Sequence, residues 1–402
     1  MAWREESIVS QRLEFVTLAA AEGANIRELC RRYKISAPTG YKWIERRRAG
    51  GESALRDSSR RPRSSPERSD AATEAAVLQV RERHPAWGAR KIRAVLMARG
   101  VKVPAPSTVH AILVRHGKID PAQKTKHQAW QRFEHDRPNA LWQMDFKGHV
   151  PMHRGGRCHP LTILDDHSRF SIGLWACDNE RRCTVQDRLI EAFRRFGLPE
   201  RVLCDNGPPW SVPHADGGKH TGLTVWLLRL GVCTVHGRPF HPQTQGKDER
   251  FHRTLKAELL SRMDLRDLGH AQETFDTWRG MYNLMRPHEA LGMAVPASRY
   301  ACSSRPYPER MPEVEYAPGE TLRRVRPNGL IKYRGQSWSV GQAFGGELVS
   351  LRQSPLEGVM SICYGPHAVG MIELKPATHP RRRLPPLASL APEIAGKPPA
   401  NV

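Results

Sequence analysis

A change in hydrophobic pattern near residue 137 sets the central architecture of this 402-residue chain. The short apolar runs in the segments "NALWQMDFKG" and "HPLTILDDHSRFSIGLWA" predict three consecutive strands. A helix over 180–196 closed by Gly197, the strand "RVLC", the helix "LTVWLLRLG" and the strand-like "VCTVHG" follow. Consecutive strands followed by alternating helices and strands specify an α/β sheet that is partly antiparallel. We therefore predict an α/β core over 137–302.

Ahead of this core, residues 5–48 predict three helices. In "KISAPTGYKWIERR", Ser36 is the expected N-cap of the third helix, and Pro38 suits its first turn. A short link before the last helix matches the helix-turn-helix arrangement, in which that helix enters the major groove of DNA. A plain three-helix bundle is the alternative. On the first interpretation, a DNA-binding domain over 1–50 contacts DNA through Thr39, Tyr41, Lys42 and Arg46.

A second helical unit follows a Ser-, Arg- and Pro-rich segment. Residues 51–68 predict a basic linker that lies on phosphates, with a solvated spacer as the alternative. Residues 69–117 predict a second helix-turn-helix or winged-helix domain, and 118–136 a polar connection. The helices of this second domain are expected near 71–83, 88–98 and 107–116.

The C-terminal part of the chain changes pattern again. Residues 319–375 predict a small β barrel, with an open sheet as the alternative, that includes a hairpin around Asn328-Gly329. The tail over 376–402 is rich in proline and is expected to be disordered.

The charge of the chain indicates a polyanionic partner. Lys and Arg number 63 against 41 Asp and Glu, a net charge of +22 spread over every segment. Eight scattered cysteines without a CxxC pair, and an N-terminus without a secretory signal, predict reduced thiols in a cytoplasmic compartment. No apolar segment approaches the roughly 20 residues that span a bilayer, so no membrane partner is expected.

Three acids stand out as candidate ligands of a metal. Asp145 lies in a strand, Asp205 follows a buried strand, and Glu249 begins a charged helix. Taken singly, each has an ordinary interpretation as a hydrogen-bond acceptor, a turn residue or a surface ion pair. Taken together, three oxygen donors can hold two Mg²⁺ ions about 4 Å apart, the arrangement used for phosphodiester chemistry.

The motifs "WQMDFKG", "LDDHSRF", "CDNGPPW", "RPFHPQTQGKDERFHRTLKAE" and "YNLMRPHEALGMAVPASRY" resemble the integrase core of bacterial insertion-sequence transposases, relatives of retroviral integrases. The resemblance covers about 135–300. It implies an RNase H-like fold, with the catalytic and metal-binding triad at Asp145, Asp205 and Glu249. It also implies a DNA contact at Lys256, next to Arg253. The C-terminal domain resembles small barrels that hold DNA nonspecifically, with Arg324 as a contact.

Some residues compete with this assignment. Asp248, about 100° around the helix from Glu249, is a rival ligand. Asp165 and Asp166 are interpreted as strand-turn residues that organise "HSR". The segment 211–222 lengthens the interval between Asp205 and Glu249 beyond that of the retroviral relatives, which leaves the helix register there open. The spacing of one further set of side chains fits no common zinc finger: His149, His153, Cys158 and His159.

The predicted fold class is therefore multidomain α plus α/β plus β, with N-terminal helix-turn-helix units, an RNase H-like integrase core and a small C-terminal β barrel. The predicted function is a DNA transposase that binds the terminal inverted repeats of its element, then cleaves and joins DNA with Mg²⁺ or Mn²⁺, two ions per site. Its partners are element and target DNA, with a homodimer or higher oligomer on DNA in a prokaryotic nucleoid. The alternatives are a catalytically silent DNA-binding regulator and an RNase H-like nuclease without joining activity.

Overall fold

The computed structural model describes residues 8–57, 68–119, 134–211, 220–236, 246–356 and 358–374. The chain divides into two compact units, residues 1–68 and 69–402. Most of the predicted polar connection and most of the 211–222 segment lie outside the described residues, as does the proline-rich tail. No helix within the described ranges is long and apolar enough to cross a membrane.

The first unit contains three helices, α1 (Ile8–Ala19), α2 (Ile26–Arg32) and α3 (Ala37–Gly50). The Ser36 hydroxyl accepts a hydrogen bond from the backbone N–H of Thr39 at 3.4 Å, so the predicted N-cap is confirmed. A 3-10 turn, Glu52–Leu55, follows α3. Leu55 is fully buried beside Phe15 and Trp43, so the first residues of the predicted linker pack within this unit.

Three more helices open the second unit: α4 (Ala71–Arg83), α5 (Ala89–Ala98) and α6 (Pro106–Arg115). Their bounds lie within one or two residues of those predicted. The Asp70 carboxylate caps α4 by accepting from the backbone N–H of Thr73 at 2.6 Å. Residues 68–119 contain no strand, so this region is helical without a wing. The three helices share one apolar core formed by Val77, Trp87, Ile92, Val109 and Ile112.

The central sheet has six strands: β1 (Trp142–Phe146), β2 (Val150–Pro151), β3 (Arg157–Asp165), β4 (Ser171–Cys177), β5 (Arg201–Cys204) and β6 (Cys233–His236). Strands β1, β3 and β4 pair antiparallel, whereas β5 is parallel to β1 and to β6. The order is β2-β3-β1-β5-β6, with β4 on the outer side of β3. The predicted partly antiparallel α/β sheet is confirmed.

Helices cover both faces of this sheet because its strands are apolar on both sides. Helices α7 (Arg182–Phe196) and α8 (Gly222–Arg229) pack on one face with Trp142 and Met144. Helices α9 (Gly246–Leu255) and α10 (Leu268–Leu284) pack on the other face with Leu164 and Leu174. Gly197 ends α7 as predicted: its φ is +78°, and a Cβ there would lie 2.8 Å from two backbone oxygens.

Helix α10 also covers the outer edge of β4. Gln272 accepts from the Ala176 N–H and donates to the Leu174 carbonyl. Asn283 makes the same pair of bonds with the backbone N–H and C=O of Ser171. Arg279 donates to the Ile172 carbonyl at 2.9 Å. Side chains of one helix thus satisfy backbone groups that a neighbouring strand would otherwise pair.

The C-terminal strands are β7 (Thr321–Arg324), β8 (Leu330–Tyr333), β9 (Gln336–Ser339), β10 (Leu348–Gln353), β11 (Val359–Tyr364) and β12 (His367–Glu373). They form a four-stranded sheet, β12-β11-β10-β7, and a two-stranded sheet, β8-β9. Both sheets are open, so the described residues do not form the predicted barrel. Strands β8 and β9 form a ladder with each other and with no strand of the larger sheet, and this leaves the larger sheet unclosed in the described residues.

The predicted hairpin at Asn328-Gly329 is wrong. The turn there leads from β7 to β8, which belong to different sheets. The true hairpin joins β8 to β9 through Arg334-Gly335, where both residues adopt positive φ angles, +50° and +77°. Two positive φ angles are the requirement of a two-residue hairpin turn of type I′.

Candidate active site in the integrase-like core

Strand β1 presents two chemically different faces. Trp142 and Met144 point into the core beneath α7, and Phe146 packs against the same cluster. Gln143 and Asp145 lie on the opposite side, toward α9. The alternation predicted from the sequence is therefore present, and it directs Asp145 out of the apolar layer.

Asp205 follows the end of β5, the strand parallel to β1. Trp142 pairs with Val202, and Gln143 pairs with Leu203. The same register, extended by two residues, places Asp145 beside Asp205 at the carboxyl ends of the two strands. Asp205 is held in a turn, since its carboxylate accepts from the Gly207 N–H. Burial, together with the charge of Asp205, raises the pKa of Asp145 to about 6. The two carboxylates therefore repel each other.

Helix α9 carries a buried stripe and an exposed stripe. Asp248, Phe251 and His252 are buried against the sheet. Glu249 is exposed one position away, because successive helical residues are rotated by about 100°. His252 accordingly shares a face with Asp248 and not with Glu249. The exposed stripe contains Glu249, Arg253 and Lys256.

One group of potential metal ligands comes together in the described part of the chain. Ligand atoms of Asp145, Asp248 and His252 all lie within 4.8 Å of one another. His252 Nδ1 is 3.9 Å from Asp145 Oδ2, and His252 Nε2 is 3.7 Å from Asp248 Oδ2. Burial lowers the pKa of His252 to about 3, so its ring is neutral. A neutral imidazole does not compensate the two acids.

Asp248 lacks the partners that a buried carboxylate requires. Its exposed fraction is 2%, and its Oδ2 has no hydrogen-bond partner. Its Oδ1 lies 3.4 Å from the Thr162 hydroxyl, which also donates to the Asp145 carbonyl at 2.9 Å. Burial raises the pKa of Asp248 well above its usual range. An unsatisfied buried oxygen beside a second acid fits a divalent cation, for which carboxylates are preferred ligands.

Asp165 and Asp166 form a contrasting acidic corner at the end of β3. Asp165 accepts from the backbone N–H of Asn139 and from both the N–H and the hydroxyl of Ser168. Asp166 accepts from the His135 N–H, from the Gln143 amide and from the Lys247 ammonium. These bonds hold the "HSR" turn, as interpreted from the sequence.

The residues predicted to read DNA lie on α3 with different exposures. Tyr41 is 52% exposed, and Lys42 is exposed beside it. Thr39 and Arg46 are half-buried, and the Arg46 guanidinium lies 5.1 Å from the centre of the Trp43 ring. The aromatic ring beneath the Arg46 guanidinium restricts the rotamers of this side chain.

The other predicted DNA contacts belong to the second unit. Arg253 and Lys256 are exposed on α9 and on the π-helical turn that continues it, Lys256–Leu260. Arg324 is exposed at the end of β7 and donates to the Gly346 carbonyl at 2.8 Å. Whether these side chains meet DNA stays a prediction.

The sequence analysis did not identify His252 and Thr162 as residues of the site, although a feature of the chain points to each of them. His252 follows Asp248 by four positions, the spacing that places two residues on one helix face. Thr162 pairs with Asp145 across β1 and β3 and is fully buried. The histidines and cysteine considered for zinc are not part of the Asp145 group.

Comparisons with known families agree with this layout. Two integrase core domain families match residues 135–242 and 230–296. A helix-turn-helix domain family matches 11–63, and a homeodomain-like family matches 39–113. The C-terminal domain of IS481 family transposases matches 320–380.

Individual relatives come from insertion elements and retroviruses. An uncharacterized 39.2 kDa protein of insertion element IS476 from Xanthomonas euvesicatoria is 25% identical over 58% of this chain and 66% of its own length. An uncharacterized 31.7 kDa protein of insertion element IS407 from Burkholderia multivorans is 28% identical over 42% of this chain and 57% of its own length. The chain thus spans less than two thirds of either relative. The Gag-Pol polyprotein of baboon endogenous virus is 27% identical over 47% of this chain and 11% of its own length.

Among solved structures, a chain of the simian T-cell lymphotropic virus intasome covers 74% of this chain and 96% of its own length, at 15% identity and a TM-score of 0.36. The HTLV-2 integrase catalytic core, solved with magnesium, covers 41% of this chain and 99% of its own length, at 15% identity and a TM-score of 0.31. The family matches and the insertion-element relatives support an insertion-sequence transposase with an integrase-like core.

Proposed function

We propose that this insertion-sequence transposase is a metal-dependent polynucleotidyl transferase. It would cut DNA at the terminal inverted repeats of its element and join the freed ends to target DNA. The helix-turn-helix units would bind the repeats, while the integrase core performs both chemical steps. The family matches support transposition in general, and the site supports the specific chemistry.

One observation carries the chemical part of the proposal. Asp145 and Asp205 lie at the ends of neighbouring parallel strands, and the charge of Asp205 adds to burial in raising the pKa of Asp145. Two carboxylates held this close repel each other unless a cation lies between them. Helix α9 brings the buried acid Asp248 close to Asp145, and Glu249 follows it on the exposed side of the same helix.

We assign the metal to Asp145, Asp205 and Glu249, with Asp248 as the rival on α9. Bound divalent cations, two Mg²⁺ or Mn²⁺ ions, would neutralise phosphate charge and activate the attacking oxygen. Glu249 is the better match to the integrase motif, and its exposure leaves it free to meet DNA and metal together. Asp248 lies closer to Asp145 but is buried beneath the exposed stripe of α9.

Other side chains of the site position the reactants. Thr162 donates to the Asp145 carbonyl and lies 2.8 Å from His252 Nε2, so the hydroxyl links β1 to α9. Arg253 and Lys256, exposed beside Glu249, would hold phosphates of the element end. A water oxygen attacks phosphorus in the cleavage step, and the 3′ hydroxyl it releases attacks the target phosphodiester in the joining step.

The test is incubation of the purified full chain with a labelled duplex that carries the element end, with Mg²⁺ and with a chelator in parallel. Nicked and joined products that require the metal are expected. Cleavage without joining would identify a nuclease, and binding without either product would identify a silent regulator. Both results would contradict the proposal.

A competition assay tests the division of DNA binding between the units. Lys42→Ala and Arg46→Ala should each weaken binding to the terminal repeat by about 1–3 kcal/mol, because recognition helices read base edges. Arg324→Ala should weaken binding to repeat and scrambled duplex alike, because phosphate contacts carry no sequence information. Equal losses on both duplexes for the α3 variants would remove α3 from sequence recognition.

A further inference from the structure

Helix α9 contributes the third acid of the proposed site, so its position relative to β1 determines whether a metal can be held. We infer that two buried ion pairs, Lys247–Asp166 and Arg286–Glu258, are positioning pairs that fix the two ends of this helical segment. This inference rests on the proposed metal-dependent function. Neither pair touches the reacting atoms.

The first pair links the first turn of α9 to β1. The Lys247 ammonium contacts the Asp166 carboxylate and also donates to the Asp166 carbonyl at 3.3 Å. The side chains are 18% and 2% exposed, so water does not screen the pair strongly. Asp166 is itself held by the Gln143 amide at 2.7 Å. Gln143 lies on β1 two residues before Asp145 and on the same face.

These contacts fix the position of the first turn of α9 relative to β1. Lys247 is followed directly by Asp248 and Glu249, and Gln143 shares its strand with Asp145. A shift of α9 along or around its axis would break the contact between Lys247 and Asp166. The pair therefore couples the rotation of the helix to the strand that carries the first acid.

The second pair holds the other end of the segment. Arg286 Nε lies 2.9 Å from Glu258 Oε1, and both side chains are 7% exposed. Glu258 is in the π-helical turn after α9, and Arg286 follows the end of α10. Arg286 also lies 3.0 Å from His288 Nε2, and its guanidinium sits 5.4 Å from the Tyr282 ring centre. Arg286 is thus fixed on several sides.

The two pairs act on different neighbours. The first joins α9 to β1 through Gln143, and the second joins its continuation to α10, whose Asn283 is bonded to β4. Buried ion pairs contribute little net stability but cost several kcal/mol when one partner is removed. Their directional geometry makes them suited to fixing the register of the helix.

The experiment measures Mn²⁺ binding to the full chain by isothermal titration, together with hydrogen exchange of backbone amides. Lys247→Met and Arg286→Met should each weaken Mn²⁺ affinity by about 10- to 100-fold, as loss of an outer-shell partner does. Lys247→Arg and Arg286→Lys should recover part of this loss. The control is Arg250→Met, which removes an exposed cation from the same helix and should leave affinity unchanged.

Hydrogen exchange separates positioning from general destabilisation. Lys247→Met should accelerate exchange across 246–255 while strands β3 and β4 keep their wild-type protection. Wild-type Mn²⁺ affinity and wild-type exchange in both methionine variants would overturn the inference. Acceleration throughout the core would also overturn it, since the pairs would then serve stability alone.

The same data distinguish this inference from the proposed function. If the wild-type chain neither binds Mn²⁺ nor joins DNA, the proposed function fails, and the exchange pattern still decides whether the pairs fix α9. If the wild type binds metal and joins DNA while both methionine variants match it, only the positioning role fails.

Discussion

Two pairs of acids next to the central sheet have different hydrogen-bond environments. Asp165 and Asp166 are 0% and 1% exposed, and each carboxylate accepts three hydrogen bonds. Asp248 is buried to the same degree, yet its Oδ2 has no partner, and the Asp145 carboxylate beside it has a neutral histidine at 3.9 Å. Burial alone therefore does not explain the difference between Asp248 and the Asp165–Asp166 pair.

The two pairs differ in the number of hydrogen-bond donors that surround their carboxylates. A buried carboxylate oxygen without a hydrogen-bond partner destabilises the fold unless another charge compensates it. At the Asp165–Asp166 corner the chain provides that compensation itself. At Asp145 and Asp248 the chain does not provide it, and we propose that a bound metal compensates Asp145, with Asp248 as the rival ligand on α9.

The largest expected effect comes from Asp145→Asn and Asp205→Asn. Each should reduce cleavage and joining below detection while terminal-repeat binding is retained, because an amide keeps the shape but loses the charge that holds the metal. Gel assays of cleavage and binding on the same preparation measure both. If either variant joins DNA at the wild-type rate, that residue is not a metal ligand. The proposed functional difference between the two pairs of acids would then be contradicted.

The same substitution has a pH signature in the metal-free protein. The folded pKa of Asp145, about 6, exceeds the ordinary value of 3.8, so the folded state binds protons more readily than the unfolded state. This contribution to stability is present below pH 4 and is lost as the pH rises through 6. Thermal unfolding of the wild type should therefore show this pH dependence, and Asp145→Asn should lack it.

The next effect decides between neighbours on α9. Glu249→Gln should abolish joining, whereas Asp248→Asn should remain active, because we assign the metal to the exposed acid. Single-turnover joining at saturating Mg²⁺ is the measurement. The reverse result would move the ligand by one residue and make the unsatisfied oxygen of Asp248 the metal ligand.

A smaller effect is expected at Lys256. Lys256→Ala should slow joining by about 10- to 100-fold, the equivalent of losing a charged hydrogen bond worth about 1.5–3 kcal/mol. Metal affinity should stay unchanged, and Lys256→Arg should recover part of the rate, because charge matters more there than side-chain shape. An alanine variant that joins at the wild-type rate would leave Lys256 as ordinary surface.

The smallest effect on cleavage and joining is expected at Asp165 and Asp166, whose carboxylates are fully hydrogen-bonded. Asp165→Asn should destabilise the fold by about 1–3 kcal/mol, because an amide turns one acceptor into a donor that faces the Ser168 N–H. Metal affinity per folded molecule should not change. Thermal unfolding with Mn²⁺ titration tests this, and a specific loss of metal binding would place Asp165 in the functional set.

Much of this architecture follows from local sequence. Strand alternation in "WQMDF", the strand end before Asp205 and the cap at Ser36 depend on nearby residues, and the structure agrees with each. The orientation of α9 does not follow in the same way. Asp248 and Glu249 are adjacent acids on one helix, and which of them faces the sheet depends on where that helix packs.

The C-terminal strands show the same limit. Asn328-Gly329 and Arg334-Gly335 are both acceptable turn sequences, and only the pairing of distant strands selects the second as the hairpin. Barrel closure likewise depends on contacts between strands far apart in the chain. Neither outcome is encoded in a short window of sequence.

The bonds from α10 to the edge of β4 have a consequence for assembly. An uncovered edge strand is a template on which another chain can add a strand. Gln272 and Asn283 each present an amide that imitates a peptide group, so the helix acts as a surrogate neighbour for β4. A second copy of the chain could therefore add a strand to this edge only after α10 had separated from β4.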